Sequence, residues 1–185
     1  SHDLRAPLRG IDGFSHLLAE EYAPQLDDTG RGYLDRVRRA AQRMGALIDD
    51  ILELSALESG ELELSRESLD LWPIAEDAVR EARINARDKP IEIVLKGGPL
   101  TAWADARRVR QILGNVVGNA VKFTAEGQVE VLIEAQSERW ALIRVSDTGP
   151  GIAPEDQASI FEEYRQVADL AARRAGSGLG LALSR

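Results

Sequence analysis

Four stretches of this chain pair reactive or ligating residue types with a spacing that lets them act together. In Asp147-Thr148-Gly149-Pro150-Gly151-Ile152 a carboxylate follows the apolar run Trp140–Ser146, and two glycines flank a proline. A carboxylate at a strand end accepts a hydrogen bond from the exocyclic amine of a base. Gly149 and Gly151 remove side chains that would block a flat ring, and Pro150 stiffens the turn. Turn chemistry alone accounts for such an Asp/Gly cluster about as well, so its meaning depends on the other three stretches.

The second stretch begins at Asp105, which reads as the N-cap of a helix running to about Phe123. Val109, Ile112, Leu113, Val116, Val117 and Ala120 project to one side. Arg108, Gln111, Asn115, Asn119 and Lys122 fall within an arc of roughly 80° on the other. Amphipathicity explains a polar face but not this choice of residues, because asparagine is a mediocre helix former. Carboxamide oxygens suit a hard Mg²⁺ ion, and a neighbouring lysine can hold phosphate oxygens. The third stretch is Gly176-Ser177-Gly178-Leu179-Gly180-Leu181, where alternating glycines precede an apolar run and can offer backbone N–H groups to phosphate. No Lys-Ser or Lys-Thr follows, so it is not a P-loop, and its place near residue 180 does not suit a Rossmann turn. The segment between the turn and these glycines, with Arg173 and Arg174 near its end, has the length of a lid over bound nucleotide.

The fourth stretch is Ser1-His2-Asp3-Leu4-Arg5-Ala6-Pro7. A proline inside a helix offends the carbonyl four residues earlier, here that of Asp3, so a bend would be aimed at His2 and Asp3. In the alternative, Pro7 lies in a first helical turn where it is tolerated, and His2 is an ordinary surface histidine. His16 has no companion at metal-ligand spacing and reads as solvated.

The elements that must carry these groups are legible in the periodicity. Leu4, Leu8, Ile11, Leu18 and Tyr22, with Phe14 beside them, make an apolar stripe on a first helix, opposite His2, Ala6, Arg9, Gly13, His16 and Glu20. After a break over Ala23–Gly30, Tyr33, Val37, Ala40, Met44, Leu47, Ile51 and Leu54 form a heptad seam on a second. Two helices cannot hide both stripes, and each buried Leu or Ile is worth about 1.5–3 kcal/mol. A second copy should therefore complete a four-helix bundle, making the chain a homodimer. Ser59-Gly60 closes the hairpin, dividing the chain into residues 1–59 and 60–185. Beyond it, Leu62–Leu64 with Leu69–Leu71 alternates like an edge strand, Pro73 opens a helix to about Ala86, and Ile91–Leu95 and Thr101–Ala104 read as strands. Trp140–Ser146 reads as a buried strand and Ala153–Ile160 as a short helix.

Composition sets outer limits. The chain has 185 residues, 44% of them hydrophobic, enough for a core. A net charge of −8 repels nucleic-acid phosphates and favours basic partners or a metal-neutralised anion. Cysteine is absent, so thiol chemistry is unavailable. No apolar run approaches the roughly 20 residues of a membrane helix, and any sensor or anchor must lie outside these residues.

Taken in order, residues 1–7, Asn115–Thr124, Asp147–Ile152, Phe161–Tyr164 and Gly176–Leu181 resemble the motif series of the sensor histidine kinases. The second part is similar to the Bergerat ATP-binding fold of type II topoisomerases, Hsp90-like chaperones and mismatch-repair ATPases. The resemblance implies an α-helical hairpin forming a dimeric four-helix bundle, followed by an α/β-sandwich ATP-binding domain. It implies that His2 is the phospho-acceptor with Asp3 as general base, that Asn119 holds Mg²⁺ with Asn115 and Lys122 on the phosphates, and that Asp147 takes the adenine amino group. Gly149, Gly151, Ile152, Phe161, Tyr164, Arg173, Arg174, Gly176, Gly178, Leu179 and Gly180 would complete the pocket and its lid. The implied activity is ATP-dependent histidine autophosphorylation and transfer to an aspartate of a response-regulator receiver domain, received below His2. The setting would be cytoplasmic, with a sensor domain elsewhere. Two departures stand out: Ala6 replaces the polar residue usual four positions after the histidine, which implies weak phosphatase activity, and the family pattern continues past Arg185, which implies truncation. The competing readings are a pseudokinase or dimeric adaptor that binds ATP without transfer, and a Bergerat-type ATPase, which His2 would not serve.

Overall fold

The computed structural model describes residues 2–161 and 180–184, and side chains there except those of residues 2–5 and 23. The chain divides into two compact units, Ser1–Leu62 and Glu63–Arg185.

The first unit is a hairpin of α1 (His2–Tyr22) and α2 (Asp28–Glu58), joined through a 3₁₀ turn at Ala23–Gln25. Asp27 caps α2, its Oδ1 accepting the Gly30 N–H at 2.7 Å, so this helix starts inside the expected break rather than after it. Pro7 falls in the second turn of α1, beyond the first-turn position where proline is tolerated. The helices meet through Leu8, Ser15 and Ala41, all buried, with Asp12 and Ala19 beside them. Of the expected apolar stripe on α1, Leu8 is thus covered within the hairpin. Small Ser15 and Ala41 let the helices approach, while Ile11, Phe14, Leu18 and Tyr22 of the expected stripe turn outward. Along α2 the seam residues Tyr33, Val37, Met44 and Ile51 also stay open, at 42–62% exposure.

The second unit begins with a ribbon in which β1 (Glu67–Asp70) pairs antiparallel with β3 (Thr101–Ala104). Residues 62–64 therefore do not join the edge strand, whose paired part starts at Glu67. Each ribbon strand runs into a helix through an aspartate cap. Asp70 Oδ1 accepts the Trp72 N–H at 3.0 Å at the start of α3 (Leu71–Asn85), two residues ahead of Pro73. Asp105 Oδ1 accepts from Arg107 N and Arg108 N at 2.9 and 3.2 Å at the start of α4 (Ala106–Phe123). The main sheet has the order β2 (Ile91–Gly97), β4 (Gly127–Ser137), β5 (Trp140–Asp147), with β2 parallel and β5 antiparallel to β4.

Both helices pack on one face of this sheet. Ile74, Val79 and Ala82 of α3, Leu113, Val117 and Val121 of α4, and Ile93, Val129, Val131 and Ile133 of the sheet form the core. The opposite face mixes half-buried Val94, Leu132 and Leu142 with charged residues and carries ion pairs between Lys96 and Glu130 at 2.6 Å and Arg144 and Glu134 at 3.3 Å. Strand β5 is half-covered rather than buried: Ala141, Ile143 and Val145 pack against the core, whereas Trp140 is 71% exposed. It lies at the end of the sheet order, with a neighbour on one side. A short helix, α5 (Pro154–Gln157), occupies part of the expected Ala153–Ile160, and a 3₁₀ turn follows at Ala182–Ser184.

Candidate functional site

The β5–α5 turn and the end of α4 converge. Gly149 lies against the last residue of α4: a Cβ placed on Gly149 would stand 3.1 Å from Phe123 O and 2.7 Å from Asp147 Oδ1. A larger residue there would push the Asp147 carboxylate aside and crowd the Phe123 carbonyl. Gly149 thus suits the protein's own packing, beyond any room it leaves for a ring. Gly151 has φ +72°, in the left-handed region, with open space around it, so its requirement is conformational. Asp147 is exposed, and its Oδ1 accepts the Gly149 N–H at 2.9 Å. Among the described residues Oδ2 receives no protein hydrogen bond, which leaves an oriented acceptor for an amine. Thr148 anchors the turn from behind, its Oγ1 accepting the Gln128 N–H at 2.9 Å and donating to Glu126 O at 3.2 Å.

On α4 the polar face is half-buried along its length at Arg108, Gln111, Asn115, Asn119 and Lys122. Arg108 Nη1 donates to Gln111 Oε1 at 3.0 Å. Asn115 Nδ2 donates to Gly180 O at 2.9 Å and to Ser184 Oγ at 3.3 Å, so the glycine-rich stretch meets α4 at the first asparagine. One turn on, Asn119 makes no hydrogen bond among the described residues. Lys122 Nζ stands 4.5 Å from the Phe123 ring centroid, and burial holds its pKa below the ordinary lysine value. A partly desolvated ammonium with no carboxylate partner among the described residues can receive an anion. No cluster of His, Cys, Asp and Glu able to cage a metal occurs among the described residues. The donor chemistry instead fits Mg²⁺ held by one carboxamide together with phosphate oxygens and water.

Ile152 and Phe161 are exposed near α5, and Gln157 Nε2 donates to Ile152 O at 3.1 Å. Tyr164, Arg173, Arg174, Gly176, Gly178 and Leu179 lie outside the described residues. His2 and Asp3 form the first turn of α1, and their side chains lie outside the description. His16 Nε2 sits 3.2 Å from Glu20 Oε1 on the same helix, an ordinary surface pair. A groove of about 190 Å³ between α4 and β5 is lined by Val109, Ile112, Leu113, Val116, Ile143 and Val145; wholly aliphatic, it offers nothing to phosphate. Thr148 and Ser184 are site-supporting residues that the sequence does not flag. Their partners Gln128 and Asn115 lie 20 and 69 positions away, and no local pattern encodes that distance.

Two family models match the chain: the His Kinase A (phospho-acceptor) domain over residues 1–60, and the histidine kinase-, DNA gyrase B- and HSP90-like ATPase over residues 104–185. The aerobic respiration control sensor protein ArcB homolog of Haemophilus influenzae is 38% identical over all of this chain and 57% of its own length. The non-motile and phage-resistance protein of Caulobacter vibrioides is 40% identical over all of this chain and 23% of its own. The chain thus spans 57% or less of these relatives. The crystal structure of full-length ShkA in complex with AMPPNP is similar at a TM-score of 0.82 and 35% identity, over 98% of this chain and 38% of that one.

Proposed function

This chain belongs to the sensor histidine kinase family, and from that premise we propose that it transfers the terminal phosphoryl group of ATP to His2 and then to an aspartate of a response-regulator receiver domain. The observation that carries this reading is the convergence of Asp147, through Gly149, on the end of α4 that bears Asn119 and Lys122. Asp147 binds the adenine amino group through the oxygen left without a protein donor. Lys122 binds phosphate oxygens; Asn115, expected there too, has both amide protons on Gly180 O and Ser184 Oγ and instead ties the glycine-rich stretch to the helix. Asn119 would hold Mg²⁺, which when bound neutralises charge on the phosphates. Phosphoryl transfer depends chiefly on alignment and charge neutralisation, and a neutral imidazole is a competent nucleophile near pH 7. In the transfer His2 forms an N–P bond as the bond from the terminal phosphorus to the bridging oxygen of ADP breaks. Asp3 takes up the imidazole proton.

The exposed seam of α2 supports a homodimer in which two hairpins make a four-helix bundle. The exposed side of α1 with Ala6, Arg9, Gly13 and Glu20 is where the receiver domain docks. No described helix is long and apolar enough to cross a membrane; this part of the protein acts in the cytoplasm, where ATP is supplied. Incubation with γ-labelled ATP and Mg²⁺ tests the reading. Label stable to base and labile to acid, lost in His2→Gln while nucleotide binding persists, is the expected result; label on a hydroxyl, or undiminished in His2→Gln, overturns it.

A further inference from the structure

We propose that Lys89 is a positioning residue for the nucleotide site, acting as the clamp on the C-terminal end of α4. This rests on the nucleotide-binding reading of that helix given above. An α-helix leaves its last four carbonyls without helical partners, which in α4 are those of Ala120, Val121, Lys122 and Phe123. Ala120 O accepts both the N–H and the Oγ1–H of Thr124, at 3.0 and 2.7 Å. The Lys89 ammonium donates to Val121 O at 2.6 Å, Lys122 O at 3.0 Å and Thr124 O at 3.0 Å. All three of its protons are thereby used, and a cation at this end also complements the helix dipole. Water is a poor substitute, since Thr124 is fully buried and Val121 nearly so. The remaining carbonyl, that of Phe123, abuts Gly149 in the adenine-side turn.

Lys89 itself is held by short bonds within its loop, its N–H to Ala86 O at 2.9 Å and its own carbonyl to Ile91 N at 2.8 Å. The loop ahead of β2 therefore reaches across to fix the turn of α4 that carries Lys122 and, one turn earlier, Asn119. Because Phe123 O bears on Gly149, the same clamp sets the distance between the phosphate side and the adenine side of the pocket. Its loss would loosen both together without removing any group that touches the nucleotide.

Calorimetric titration of the full chain with ATP and Mg²⁺ tests this, with far-UV circular dichroism as the fold check. Lys89→Met keeps the aliphatic stem and removes the donors, and should weaken ATP binding by about tenfold or more. Lys89→Arg keeps a cation with several donors and should recover binding to within about threefold of the wild type. If Lys89→Met fails to fold, Lys89→Gln takes its place, with binding again weaker than in Lys89→Arg. Wild-type affinity in the neutral variant, or a loss that arginine does not recover at all, overturns the clamp. Wild-type protein that binds no ATP overturns the nucleotide-site reading instead, and the clamp with it.

Discussion

The side chain whose surroundings say most about its task is Lys122. Its ammonium is partly buried over the Phe123 ring, and that burial lowers its pKa because the charged form loses hydration. A lysine is charged below its pKa, so Lys122 gives up its proton at lower pH than an ordinary lysine would. A bound triphosphate favours the charged form and draws the proton back. ATP affinity should therefore fall as pH rises from neutrality through the depressed pKa, below the ordinary lysine range, with proton uptake on binding in that range. Titrations in buffers of different ionisation enthalpy measure that uptake. Lys122→Met should weaken ATP binding by roughly ten- to a hundredfold and abolish the alkaline dependence. Asp105 is the counterpart at the other end of α4. The hydrogen bond from the Arg108 N–H, joined by those from Ser65 and Arg107, lowers its pKa and outweighs the opposing effect of desolvation. Since its folded pKa lies below the unfolded one, the capping contribution is present above about pH 4 and is lost as pH falls through the folded value.

At the scale of the element, α2 and α4 show two ways of using an amphipathic helix. Helix α4 buries Leu113, Val117, Ala120 and Val121 within its own unit and keeps its polar face half-covered for a ligand. Helix α2 covers the side that carries buried Ala41 with half-buried Leu34, Ile48 and Leu52, and leaves Tyr33, Val37, Met44 and Ile51 outward. Burying each large apolar side chain there against a second copy is worth about 1.5–3 kcal/mol. Val37→Asp combined with Met44→Asp should therefore shift the protein from dimer to monomer in light scattering, weakening association by at least about a hundredfold. Helical content should be retained in circular dichroism. A dimer unaffected by both changes would mean that another surface joins the copies.

For the whole molecule, the division into two units predicts that damage to one core leaves the other intact. Ile133 is 2% exposed on the central strand β4, among Val129 and Val131 and beneath the helices. Ile133→Ala should cost about 2–5 kcal/mol of the stability of the second unit. In denaturant titrations followed by near-ultraviolet signal from Trp72 and Trp103 the midpoint should drop. Saturating ATP, at about a hundred times its dissociation constant, should return roughly 2.7 kcal/mol.

Much of this organisation is written locally. The hairpin, the α4 boundaries with the Asp105 cap, the strands at residues 91 and 101, and the motif order follow from periodicity and capping, which act over a few residues. Strand β4 also carries a readable signal, the alternation Val129, Val131, Ile133. What local pattern does not contain is which side of α1 faces α2, because Leu8 and Ile11 are equally apolar and small Ser15 decides the approach. Nor does it contain the partners of Thr148, Asn115 and Lys89, which lie 20, 65 and 32–35 residues away. Residue types and spacing by themselves determined the chemistry on offer. Only the packing of β2, α4 and β5 decided which groups meet, because hydrogen bonds of this length are made by elements brought together through burial of a shared core.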